Sequence, residues 1–298
     1  MTSLSTPLVP RSRSRRPVRV RRSGGWFRRL VASPIVWLVV AANAGVVVWI
    51  LFSSVKDTRS ILESPWSLPS SLHLDNYARA WTSGDFAAAT FNSVVLVVGT
   101  AAATVLLAAP AAYALTRLGG RGSSGLTAFF AVGLGVPSFA VFLPLYVVMS
   151  HLGLVNNLAG LWLLYTATSM PFAVFFLTAF FRSLPQEVEE AAALDGASPL
   201  YVFWRIVFPL ARSGIITLLI LNVIQHWGET FFALVFIQDR ALQTLPLALY
   251  NFLQTMQYSG ADWAGMFAGI ALVVVPMIVA YAFLARQIID GMTLGAGK

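Results

Sequence analysis

The chain has 298 residues, of which 57% are hydrophobic and 11% charged, against roughly 25% charged in an average soluble domain. At a mean hydropathy of +0.74 it carries more apolar surface than a soluble core of this size can bury, so the bilayer is the expected solvent. No cysteine is present, which excludes disulfide frameworks, thiolate-ligated metals and thiol nucleophiles, and His73, His151 and His226 have no metal-ligand spacing.

The N-terminal stretch holds nine Arg: Arg11, Arg13, Arg15, Arg16, Arg19, Arg21, Arg22, Arg28 and Arg29. The apolar run behind it, Ile35 to Phe52, is long enough to cross a hydrocarbon layer of ~30 Å. Ser53-Ser54-Val55-Lys56 follows it rather than a small-residue cleavage site, so the run reads as an uncleaved first span and not a signal peptide. Residues 1–30 are read as a disordered, Arg-rich cytoplasmic tail lying near anionic lipid headgroups. Residues 31–290 form the membrane domain and residues 291–298 a second cytoplasmic tail.

Six apolar segments follow in order: 34–54, 91–115, 126–149, 157–181, 212–237 and 263–285. Pro110, Pro137, Pro144, Pro171 and Pro276 fall inside them, which spans tolerate because neighbouring helices satisfy the freed backbone groups. With the N-terminus inside, sixteen of the 20 basic residues are cytoplasmic, and only Lys56, Arg59, Arg79 and Arg240 lie outside. This positive-inside bias accounts for the net charge of +8 without nucleic acid as a partner. Two sizeable loops fall outside, from Lys56 to about Thr90 and from Gln238 to Asp262. The expected fold is an all-α integral membrane protein with six transmembrane helices.

The cytoplasmic loop between the fourth and fifth spans is the unusual one. Pro185 suits a first helical turn, and Glu187, Glu189 and Glu190 complement a helix N-terminus. The segment from Glu187 to Leu194 is strong helix former, Gly196 a natural terminator, and Ser198-Pro199 a cap and opening for a second helix. That helix carries Tyr201, Phe203, Trp204 and Ile206, and Pro209 ends it. Two short helices at a sharp angle are predicted.

In this loop Glu190-Ala191-Ala192 is followed by three residues, Gly196, nine residues, then Ile206-Val207-Phe208-Pro209. It resembles the Glu-Ala-Ala signature of permease subunits of ATP-binding-cassette importers, with Phe208 where Leu is usual. The resemblance runs from about residue 34 to the end and is similar to the maltose-type, binding-protein-dependent carbohydrate importers. Asn92-Ser93, Ala112-Tyr113-Ala114, Gln243-Thr244-Leu245-Pro246-Leu247 and the tail from Gln287 to Lys298 share in it. The resemblance implies a coupling helix that docks on a separate ATPase subunit. Its implied contacts are Glu189, Glu190, Ala191, Ala192, Asp195, Gly196, Ile206 and Pro209.

It also implies a homologous second permease, two ATPase subunits, an extracytoplasmic sugar-binding protein and a bacterial inner-membrane location with both termini cytoplasmic. No cofactor is expected in this chain, ATP and Mg being used by the partner ATPase. No Gly-x-x-x-x-Gly-Lys-Ser/Thr phosphate loop is present, so the chain is not expected to be an enzyme. The implied cargo is a di- or oligosaccharide, with a non-sugar solute such as glycerol phosphate as an alternative.

Asn222, Gln225, Trp227 and Glu229 in the fifth span are costly in lipid and read either as a substrate pathway or as helix-to-helix hydrogen bonding. Gly228 stands where sugar permeases often carry Asn. An ion-coupled secondary carrier is the rival class, with only Glu229 and His226 to serve it.

Overall fold

The computed structural model describes residues 25–120, 122–258 and 262–296, and among these the regular structure is entirely helical. The chain divides after Val48. On the first side lies most of α1 (Gly25–Ser54), in which Val36, Trp37, Leu38, Val39 and Val40 are all exposed, as lipid-facing residues are. The Arg-rich tail lies almost wholly outside the described residues. The helix already begins at Gly25, so the boundary placed at residue 30 falls inside it.

The larger unit is built on α4 (Phe86–Tyr113) and α7 (Leu158–Arg182), which pack along each other. Short helices α2 (Thr58–Glu63) and α3 (Asp75–Ser83) occupy the first predicted outer loop. The buried side chain of Asn76 ties that loop back by donating to the carbonyls of Ser54 and Lys56 at 2.9 and 2.8 Å.

The third predicted span, 126–149, is two helices, α5 (Ser123–Leu134) and α6 (Ser138–His151), bent by 108°. Pro137 sits in this break rather than inside a helix. It disfavours helical backbone at Val136, and Gly135 already closes α5. Gly133 keeps α5 close to α7, since a Cβ there would lie 3.0 Å from the ring of Pro171.

The second predicted outer loop holds a buried helix. After a 3₁₀ turn at Arg240–Leu242, a long helix runs Leu245–Tyr258 and packs on α4 and on the last span. Leu245, Leu247, Ala248 and Phe252 are its buried face. Asn92 donates to the carbonyls of Ala241 (2.9 Å) and Gln243 (3.0 Å), and Ser93 Oγ accepts the amide hydrogen of Leu245 at 2.7 Å. The Asn-Ser pair at the head of α4 thus serves to seat this helix. The last span, Trp263–Ala296, is helical six residues past the boundary placed at 290. Among the described residues, four helices, or up to six if each bent pair counts as one span, are long and apolar enough to cross a membrane.

Candidate functional site

The loop between α7 and the next span is two short helices, as predicted. The first, α8, runs Glu187–Leu194 with three acidic residues in its first turn. It closes in a Schellman turn, in which the Ala197 amide donates to the carbonyl of Ala192 and the Gly196 amide to that of Ala193, both at 3.0 Å. Gly196 takes φ +83°, the left-handed region that a side chain disfavours. Ser198 Oγ then accepts from the Tyr201 amide at 3.3 Å and opens α9 (Pro199–Val202), with Pro199 in its first turn.

A widened π turn, Phe203–Val207, leads into α10 (Phe208–Leu210). It lies just before Pro209, whose ring would collide with the Arg205 carbonyl in a regular α-helix. The chain bends by 74° before α11 (Arg212–Trp227).

The two halves of this loop are held differently. Val202, Phe203 and Val207 are buried in one cluster with Ala109, Ala112 and Tyr113 of α4, Leu177 and Phe181 of α7, and Ile215 and Leu218 of α11. Phe203 lies 5.0 Å from the ring of Tyr113. α8 has no buried residue. Arg117, in a π turn (Ala114–Leu118) that ends α4, holds it. Its Nε donates to Glu189 Oε1 at 2.8 Å, and its Nη2 donates to the carbonyls of Phe181 (2.8 Å) and Leu184 (3.2 Å). The two charged side chains are only 8% and 12% exposed, so the pair is largely shielded from water and salt. The outer face of the loop is apolar for an exposed surface: Leu194 is 89%, Leu200 68% and Tyr201 56% exposed.

Of the predicted coupling residues, Glu190, Ala191, Asp195, Gly196 and Pro209 are exposed. Ala192 and Ile206 are half-buried and packed against the core cluster. Glu189 does not face outward, because Arg117 engages it within the chain. Sequence reading counted Arg117 only as a topology charge. The signal available was its place just past the Ala112-Tyr113-Ala114 end of a span.

The polar residues of α11 are dispersed over different faces. Asn222 is buried and donates to its own helix at Leu218 O, 3.1 Å. Gln225 is exposed and Trp227 half-buried with an indole N–H that has no hydrogen-bond partner. Glu229 sits in the break before α12 (Phe231–Phe236), so the predicted span 212–237 is also interrupted. Its carboxylate accepts the amide hydrogens of Phe232 (2.7 Å) and Ala233 (3.2 Å) and the hydroxyl of Tyr165 on α7. His226 stacks on Tyr165 with centroids 4.6 Å apart and hydrogen-bonds Ser169 at 2.7 Å.

Glu229 is therefore a helix cap and a helix-to-helix tie. Glu229→Gln turns one acceptor oxygen toward its donors as an amide and is expected to cost about 1–3 kcal/mol. A lowered unfolding midpoint in detergent, with a smaller drop for Tyr165→Phe, checks this. An unchanged midpoint in Glu229→Gln removes the capping role.

The family described as "Binding-protein-dependent transport system inner membrane component" matches residues 104–292. The chain is 36% identical over 263 residues to the diacetylchitobiose uptake system permease protein NgcG of Streptomyces coelicolor, covering 88% of this chain and 85% of that protein. It is 33% identical over 261 residues to the trehalose transport system permease protein SugB of Mycobacterium tuberculosis, covering 88% and 94%. In structure it is similar to a chain of a bacterial ABC transporter involved in import of the acidic polysaccharide alginate, at a TM-score of 0.73 and 21% identity over 88% of this chain and 98% of that one. The structural likeness shows the fold.

Proposed function

Because the chain belongs to the binding-protein-dependent transport system inner membrane component family, we propose that it is the permease subunit of an ATP-driven importer of a di- or oligosaccharide. The observation that carries the coupling role is the α8–α9 pair, a rigid element with a left-handed glycine at its turn and exposed Leu194, Leu200 and Tyr201 on its outer face. Such a patch at the end of a bundle fits a protein partner. That partner is an ATPase subunit, with Glu190, Ala191, Asp195, Gly196 and Pro209 at or beside the contact. Ala192, Ile206 and Glu189 hold the element in shape behind it. Family membership also displaces the ion-coupled carrier reading.

The sugar assignment rests on the relatives named for uptake of diacetylchitobiose and trehalose. Loop charge supports a cytoplasmic position for α8–α9 and both termini, in a bacterial cell. The opposite end, with α2, α3 and the Leu245–Tyr258 helix, receives a sugar-binding protein. A homologous second permease completes the pathway, and two ATPase subunits use ATP and Mg. This chain itself performs no catalysis. Gln225 is the exposed α11 group offered to a passing hydroxyl, while Asn222 and Glu229 serve the helix and the indole N–H of Trp227 is shielded from solvent.

Uptake of radiolabelled diacetylchitobiose, trehalose and maltose by cells with and without the gene tests this reading. Loss of ATP-dependent uptake of at least one is expected on deletion. Unchanged uptake of all three, with no ATPase subunit bound to the purified chain, would overturn it.

A further inference from the structure

We propose that Arg117 is a positioning residue that, through Glu189, forms a strut by which movement of α8 reaches the ends of α4 and α7. The proposal rests on α8–α9 being the ATPase-docking element and deepens that reading.

The loop has two mechanical connections to the bundle. The α9 half is welded in by burial, with Val202, Phe203 and Val207 in the same close-packed cluster as α4, α7 and α11. Close-packed interiors transmit displacement. The α8 half lacks such an anchor. Between it and the end of α4 lies a cavity of about 300 Å³, lined by Tyr113, Arg117, Glu189, Glu190, Ala197 and Val202 among others. Across that open cleft little dispersion contact is available to carry a push.

The guanidinium bridges the edge of that cavity. One side chain joins three elements: the π turn that ends α4, the last turn of α7 at the Phe181 carbonyl with that of Leu184 just beyond it, and the first turn of α8 at Glu189. Arg suits this task because its planar fork places several donors at fixed angles, which a lysine ammonium does not. Shielding of the pair keeps it strong. Ala192 and Ala197 are the residues at the two ends of the Schellman turn that also touch the core cluster, and their single methyl groups give little purchase. The remaining acidic residues of α8, Glu187 and Glu190, are exposed and stay available to the partner.

The test uses the complex purified through a tag on this chain, with spin labels at Val188 and Arg182 and Mg-ATP with vanadate as the nucleotide probe. In the native chain the two labels are expected to keep one narrow distance distribution with and without nucleotide, because strut and α7 move together. In Glu189→Gln and in Arg117→Met the distribution is expected to broaden and to shift on adding nucleotide. Stimulation of Mg-ATP hydrolysis by sugar-loaded binding protein is expected to fall about tenfold while basal hydrolysis persists. The double variant is expected to be no worse than either single one, since both remove the same link.

Unchanged distance distributions and full stimulation in Glu189→Gln would overturn the proposal. If Arg117→Met fails to assemble, the near-isosteric Glu189→Gln carries the test alone. Failure of the native chain to bind any ATPase subunit is a different result and refutes the docking role itself.

Discussion

Gly160→Ala is expected to abolish accumulation of folded, monodisperse protein. Gly160 lies in the first turn of α7 and is fully surrounded. A Cβ there would fall 2.0 Å from the carbonyl oxygen of Leu154 and 2.9 Å from its carbonyl carbon. The obstacle is backbone, so no rotamer change relieves it. Moving the Leu154 carbonyl means moving the α6–α7 turn. That turn is pinned: the Leu154 amide donates to Met149 O at 2.9 Å and the Asn156 amide to Phe236 O at 2.7 Å. Asn156 Oδ1 accepts the amides of Gln238 and Asp239 at 3.0 and 2.8 Å.

One methyl group therefore strains α7, its preceding turn and the segment after α12 together. Overpacking of this kind ordinarily costs about 1–3 kcal/mol, and more where backbone must shift. Size-exclusion profiles and detergent unfolding midpoints of Gly160→Ala against Gly99→Ala check it, because a Cβ at Gly99 meets only the Trp162 indole at 3.2 Å. Equal yield and stability of the two would count against the argument.

Substitutions at the α8 turn are expected to do the opposite, sparing the fold and stopping transport. Gly196 has nothing within 4 Å of where a Cβ would lie, so Gly196→Asp meets no clash within the chain. Its internal cost is conformational, about 1–2 kcal/mol for a left-handed backbone, at a turn that carries no core residue. Gly196 and Leu194 are both exposed on the turn proposed to meet the ATPase subunit, so the new side chain is available to obstruct that contact. Ala192→Leu acts from behind: Ala192 packs on the core cluster and its carbonyl closes the Schellman turn, so added bulk tilts α8 outward.

Both variants are expected to insert and fold, with unfolding midpoints lowered no further than in Glu229→Gln, and to lose about tenfold or more of ATP-dependent uptake. Full uptake in Gly196→Asp would remove the coupling role from this turn.

Much of this was legible in the chain because it depends on local chemistry. Gly196, Ser198 and Pro199 specify a helix end, a turn and a helix start through backbone conformations and caps that need no distant partner. The apolar runs around α1, α4, α7 and the last span reflect the length of helix a bilayer requires. Hydropathy alone read 126–149 and 212–237 as continuous. Gly135 and Pro137 mark the first break, but the second is held open by a carboxylate whose third partner, Tyr165, is 64 residues away. The Leu245–Tyr258 helix was hidden in a predicted loop because its burial depends on α4 and on the seat formed by Asn92 and Ser93.

The sequence by itself determined a helical membrane protein, the position of its loop of two short helices, and the transport family that loop resembles. Tertiary structure alone decided how the loop is attached. Glu189 and Arg117 are 72 residues apart and each looks like an ordinary surface charge. They meet only because α4 and α7 run side by side and end together. Their pairing, and the cavity it spans, follow from packing between distant segments that no local pattern encodes.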